Sequence, residues 1–204
     1  MLRWMMVAGL IAGFASAAFA QGKEPEGVGG MRLGMTEQEL ASSGVATRVV
    51  PSRYAKFESD RVPFYWMPVT IAGETWGAVA TFRNGVLQWI SIQNYLAYKV
   101  DTADDVDDKV LSISSSYLST DADCDRKMDE VAVEVAKRYK RFDGPPKVKH
   151  MQIGYGSGET TIREATITFP TKVVSLSGSR TAERRGCDLM LNLSLKTAQP
   201  ASLQ

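Results

Sequence analysis

Histidine is nearly absent from this chain of 204 residues, with His150 the single example, and cysteine is limited to two. One histidine excludes a multi-histidine metal centre and makes any Ser-His or Cys-His mechanism depend on that residue. His150 stands in the strand-like run Lys147-Val-Lys-His-Met-Gln-Ile, with no nucleophile motif beside it. No C-x-x-C is present, which removes the usual redox-active pair. Charge of one sign is lacking too, the formal net charge being +1. Nucleic acid and anionic lipid are therefore not expected as general partners. Long apolar runs are missing beyond the N-terminus, so no membrane span is expected.

What is present begins at the N-terminus. Met1 to Ala20 carries one positive charge (Arg3), an apolar run from Met5 to Phe14, and small residues ending Ala18-Phe19-Ala20. That is the layout of a cleavable secretory signal with its A-x-A site before Gln21. The mature chain is expected to be periplasmic or secreted, and no Cys at the new N-terminus offers a lipid anchor. Without Arg3, basic and acidic residues balance at 23 each. The charges are unevenly spread: Asp101–Asp125 holds eight acids and one Lys, and Arg126–Arg185 thirteen bases and seven acids. Solvated faces and helix-end placement account for this split; a charged docking surface is the other reading.

Gln21–Gly30 reads as a flexible leader. Thr36 followed by Glu39 forms a capping box, flanked by Met35 and Leu40 as a hydrophobic staple, and Gly44 supplies a left-handed stop. A helix over Glu37–Ser43 is predicted. Strand character follows in Phe64–Ile71, and Glu74–Gln93 reads as a hairpin turning at Asn84-Gly85, the type I′ pair. Counting from that turn pairs Phe82 with Leu87 and Ala80 with Trp89 on one face, Val79 with Ile90 and Gly77 with Ile92 on the other. Apolar residues on both faces predict a hairpin covered on both sides. Asp101–Ser119 fits helix and strand alike and stays open. Met128, Val131, Val135, Tyr139 and Phe142 recur at helical spacing, predicting a helix over Asp125–Phe142. Strands are predicted at Lys147–Tyr155, Thr160–Phe169, Lys172–Ser177 and Cys187–Leu195.

The expected architecture is α+β, two helix-on-antiparallel-meander units (31–100 and 121–196) packed together, with a connector at 101–120 and a tail at 197–204. Cys124 extends the apolar stripe of the long helix by one turn, and Cys187 opens the leucine face of the last strand, so a disulfide between them is expected.

Other signals are weaker. Asp121-Ala-Asp123-Cys-Asp125 resembles the start of a calcium loop, but Arg126 replaces its glycine and Ala132 its bidentate Glu, so acids at a helix start are the better account. No metal or other cofactor is expected. Gly154–Gly158 joins two strands and reads as a hairpin turn. Asn192-Leu-Ser194 matches a glycosylation acceptor, though it falls mid-strand. Phe64, Trp66, Trp76 and Trp89 crowd the first half as candidate partner-binding aromatics, and core packing is the alternative for each.

Gly29 to Leu40, with its G-M-T-x-x-x-[LV] core and the strand and hairpin that follow, resembles the opening of the SmpA/OmlA family of small envelope proteins. Related helix-plus-meander folds include the β-lactamase-inhibitor-like proteins. The resemblance implies that fold and a role in contacting other proteins. The leading expectation is thus a non-enzymatic envelope protein-binding module, inhibitor-like or assembly-factor-like, with an envelope or secreted protein as partner. The alternative is a carboxylate-based hydrolase or transferase using Glu58, Asp60 or Glu74. A calcium-dependent surface protein is a third reading.

Overall fold

In the computed structural model the described residues are 23–49, 63–94, 97–102, 105–112, 120–152, 159–181 and 187–196. Their elements are β1 (Gly27–Val28), β2 (Met31–Arg32), α1 (Glu37–Ser43), β3 (Thr47–Val49), β4 (Phe64–Ile71), β5 (Glu74–Arg83), β6 (Val86–Gln93), β7 (Ala97–Thr102), β8 (Asp105–Ser112), α2 (Asp121–Arg138), β9 (Lys147–Gln152), β10 (Glu159–Thr168), β11 (Lys172–Thr181) and β12 (Asp188–Leu195). Among them no helix is long and apolar enough to cross a membrane.

The expectation of a balanced α+β protein with two helix-on-meander units is corrected. The protein is mostly β, with one eight-stranded antiparallel sheet in the order β3-β4-β5-β6-β12-β11-β10-β9 and two helices among the described residues. The physical reason lies at the junction of the halves. β6 and β12 pair directly, setting Ile92 beside Leu191 and Ile90 beside Leu193. One half's apolar strand edge is satisfied by the other's, so no boundary between units remains. Asn94 locks this seam from both sides: its N–H donates to Leu189 O (3.2 Å), and its side-chain oxygen accepts from Leu189 N (2.9 Å).

α1 forms as its local chemistry dictates. Thr36 Oγ1 accepts from Glu39 N (3.2 Å), Glu39 Oε2 accepts from Thr36 N (2.6 Å), and Gly44 ends the helix at φ 66°. The Thr36 backbone N–H, with its hydroxyl, holds the Glu39 carboxyl below its ordinary range. Met31, Met35 and Leu40 are buried in the core, and Gly34 N and Met35 O bond Leu87 at the start of β6. The stretch expected as a flexible leader is tied down over its described part: Thr171 donates its N–H (2.8 Å) and hydroxyl (2.9 Å) to Glu24.

The hairpin of β5 and β6 turns at Asn84-Gly85, both at positive φ. Its register differs from simple counting. Phe82 faces Leu87, but Thr81 faces Trp89 and Ala80 faces Ile90, because a bulge leaves Gln88 as the extra residue. Beyond it every side chain changes face relative to the count. Trp76, Ala78, Ala80, Phe82, Leu87, Ile90 and Ile92 thereby share one face, while the other mixes Val79, Val86 and Trp89 with Thr81, Arg83, Ser91 and Gln93. One row across the sheet reads Tyr65–Ala80–Ile90–Leu193–Val174–Ile167, all buried.

Both helices cover this apolar face. α2 begins four residues earlier than the apolar stripe predicts, because Thr120 caps it through Asp123 N (3.1 Å). It also ends earlier, at Arg138; Tyr139 and Phe142 still pack against the core from the following segment. There Asp143 accepts from Thr168 N (2.6 Å) and Lys140 Nζ (3.1 Å), pinning the chain to β10. Burial alone would raise the Asp143 carboxyl, but these bonds outweigh it and hold it below its ordinary value. A lowered folded pKa means that the unfolded chain binds more protons in acid, so this contribution is intact above about pH 4 and is lost as pH falls through the folded value. Asp143→Asn is expected to shrink the drop in urea midpoint between neutral and acid pH. An unchanged drop would refute the assignment.

The segment 101–119, open to helix or strand, contains the end of β7 and all of β8, which among the described residues pair with each other as a separate two-stranded sheet.

Candidate binding face of the sheet

Strand alternation sends half of each strand away from the helices, onto a second face. One row there reads Thr47–Trp66–Val79–Ser91–Asn192–Ser175–Thr166, crossing seven strands. Beside it lie Phe64, Thr81, Trp89, Ser194, Ser177 and Ser179 on the same side. Serine, threonine and asparagine dominate, with indoles toward the first half. Charges sit away from the centre, on Arg83 and Asp188 and, toward the β9 end, on Glu164, Lys147 and Lys149. Val49 and Val173 are buried on this side without joining the main core.

Asn192 organises the centre. Its side-chain oxygen accepts from Trp89 Nε1 (3.1 Å) and from Ser91 Oγ (2.7 Å). The indole is thus fixed in place before any ligand arrives, and the Asn192 amide nitrogen is left to donate outward. The sequence pattern already set Asn192 opposite the leucines of β12; its partnership with Trp89, 103 positions earlier, has no local signal.

The four aromatics singled out from sequence separate into two sets. Phe64, Trp66 and Trp89 share the second face and are half-buried. Trp76 is corrected from a candidate contact to a core residue, since it lies on the helix-covered face with 0% exposure. The bulge and strand parity make that division. Trp66 Nε1 is buried with no hydrogen-bond partner, as is Trp76 Nε1.

Cys124 and Cys187 are joined, with Cα atoms 5.6 Å apart, fastening the first turn of α2 to the start of β12. Gly178 lies beneath this crosslink, where an added Cβ would stand 3.4 Å from Cys124 Sγ and 3.1 Å from Leu189.

Of the carboxylates considered for catalysis, Glu74 alone lies among the described residues. Glu74 bonds Lys127 Nζ (2.7 Å), whose side chain is 6% exposed and also meets Glu130 (3.1 Å). Burial acts to lower the Lys127 pKa, but its two carboxylate partners outweigh this and raise it, keeping the amine charged. This pair joins α2 to β5 across the two halves and is structural. Glu58 and Asp60 lie outside the described residues, as does Gly154–Gly158. Two acids of the calcium-like motif are engaged near the helix start: Asp123 meets Thr120 and Arg126, and Asp125 pairs with Arg163. His150 is exposed on β9, with Nδ1 3.3 Å from Thr161 Oγ1.

No protein-family model, no curated protein and no solved structure matches this chain.

Proposed function

We propose that this is an exported, non-enzymatic protein-binding module of the cell envelope, whose partner docks on the sheet face that neither helix covers. The observation that carries the reading is the Trp89–Asn192–Ser91 cluster at the centre of that face. An indole immobilised by hydrogen bonding, ringed by hydroxyl and amide groups, supplies large contact area at low entropic cost. The six long strands span roughly 24 Å by 26 Å, about 600 Å², and the edge strands add to this. Specific interfaces bury about 800 Å² per partner, so the face is large enough to serve as one. Its uncharged centre fits a partner surface of polar uncharged and apolar groups. The leader-like residues 1–20 support export, and the likeness of Gly29–Leu40 to the SmpA/OmlA opening agrees with a role in contacting other proteins.

The test is affinity capture from envelope extract followed by titration of the purified partner. Trp89→Ala is expected to weaken binding by roughly tenfold or more, as central aromatic contacts do. Val133→Ala, on the exposed side of α2, is expected to leave it unchanged. A partner indifferent to both Trp66→Ala and Trp89→Ala would overturn the proposal.

A further inference from the structure

A net charge close to zero conceals a segregation of charge along the strands. Antiparallel pairing brings the β5–β6 turn, the β10–β11 turn and the close of β12 to one end of the large sheet. α2 finishes at the same end, where Tyr139 meets Phe169 and Asp143 accepts from Thr168 N. Arg83, Lys172 and Lys196 stand on these strand ends, and Lys137, Arg138, Lys140 and Arg141 close the helix or follow it. Three acids lie among them. Glu134 is shared by Lys137 and Arg138, Asp143 meets Lys140, and Glu24 lies 4.0 Å from Lys172. Nearby, Lys23 is matched by Glu26, and the α1 acids Glu37 and Glu39 by Arg48 and Arg32. Seven bases against three acids leave an excess of four positive charges. Arg83, Arg141 and Lys196 are exposed and have no ionic partner among the described residues.

The opposite end is unlike. It carries the Cys124–Cys187 crosslink and the carboxylates Glu74, Asp123, Asp125, Glu130 and Asp188. Arg126, Lys127 and Arg163 are each bonded to one or two of these acids. Placement at a helix end explains Lys137 and Arg138, which suit the negative end of the α2 dipole. It does not explain Arg83, Lys172 or Lys196, which come from separate strands. The N-terminal chain joins the fold at the basic end too, because Glu24 accepts from the N–H and hydroxyl of Thr171 there. The apolar run Met5–Phe14 stops ten positions before Glu24, a reach of at most about 35 Å. Held in a bilayer during export, that run presents the basic end to the membrane surface first.

We infer that the basic end of the sheet docks on an anionic bilayer surface and holds the exported protein against the membrane by charge. Each base near such a surface strengthens attachment roughly fivefold, so an excess of this size gives reversible binding without insertion. The contact goes beyond docking of a protein partner on the Trp89 face and does not require it.

The chain from Gln21 onward contains every described residue and lacks the apolar run that would bind lipid by itself. Its co-sedimentation with vesicles of equal parts phosphatidylglycerol and phosphatidylcholine, against phosphatidylcholine alone, tests the proposal. Binding is expected to the anionic vesicles only, and is expected to fall as salt is added. Arg141→Glu replaces an attraction with a repulsion and is expected to weaken binding roughly tenfold or more. Lys196→Glu is expected to do the same, while Arg141→Lys binds like the wild type. Arg126→Glu makes an equal change of net charge at the opposite end and is expected to leave binding unaltered, as is Trp89→Ala. Circular dichroism melts report whether each variant is folded. No binding to anionic vesicles, or equal binding to both kinds, overturns the proposal. So does a loss from Arg126→Glu as large as that from Arg141→Glu. A chain that binds soluble polyglutamate and ignores vesicles also overturns it, and assigns the basic end to an acidic protein instead.

Discussion

Reduction of the Cys124–Cys187 bond is expected to lower the unfolding free energy by about 4 kcal/mol, in the chain-entropy treatment of a loop this long. The two cysteines are 63 positions apart, so the crosslink removes a large set of conformations from the unfolded chain. It also holds α2 to the sheet at the end where Lys127 meets Glu74. Small domains have about 5–15 kcal/mol in total, so the loss is a large share of the whole. Guanidinium unfolding with and without reductant, repeated on Cys124→Ala/Cys187→Ala, measures it. The double variant should match the reduced protein and no longer respond to reductant. Equal midpoints for oxidised and reduced wild type would refute the expectation.

Trp76→Ala is expected to be comparably damaging, at about 3–5 kcal/mol, the usual range for emptying the space of a large aromatic in a core. Trp76 has no exposure, faces Val69 across β4 and β5, and belongs to the same buried cluster as Met31, Leu40, Leu87, Leu189, Leu191 and Leu193. Its indole nitrogen makes no hydrogen bond. Trp76→Phe is therefore expected to be much milder, since it removes an unsatisfied donor and leaves a smaller void. Urea midpoints of the two variants decide this. Equal losses would mean that the indole nitrogen has a partner, or that the smaller ring cannot fill the site.

The elements most legible in the sequence were those whose causes are local. Thr36, Glu39 and Gly44 specify both ends of α1, and the observed helix occupies Glu37–Ser43 as predicted. β4 runs from Phe64 to Ile71 as expected, and the Asn84-Gly85 turn, the leucine face of β12 and the cysteine pairing follow from neighbouring residues and strand parity. What was not legible is non-local. The pairing of β6 with β12 joins segments about a hundred positions apart, and nothing in either strand names the other, so two units were expected where one sheet exists. The start of α2 lies four residues before its apolar stripe, because the Thr120 cap that sets it is outside the periodic pattern. The candidate site was read in part. Composition marks Phe64, Trp66 and Trp89 together with Trp76, and only the register separates the surface aromatics from the core one. Asn192, which holds Trp89, carried no mark beyond its place opposite the leucines.

Gln88 is the quiet determinant of that separation. As the unmatched position in β6, it sets the phase of every residue after it, so Ile90 and Ile92 fall inward and Trp89 outward. Losing one position there, or gaining one just beyond it, would invert the strand like a zip advanced by a single tooth. Greasy side chains would then face water, and an indole would be driven into the interior. Changes of length in this strand should be silent only in compensating pairs, while the identity of the residue at position 88 is comparatively free.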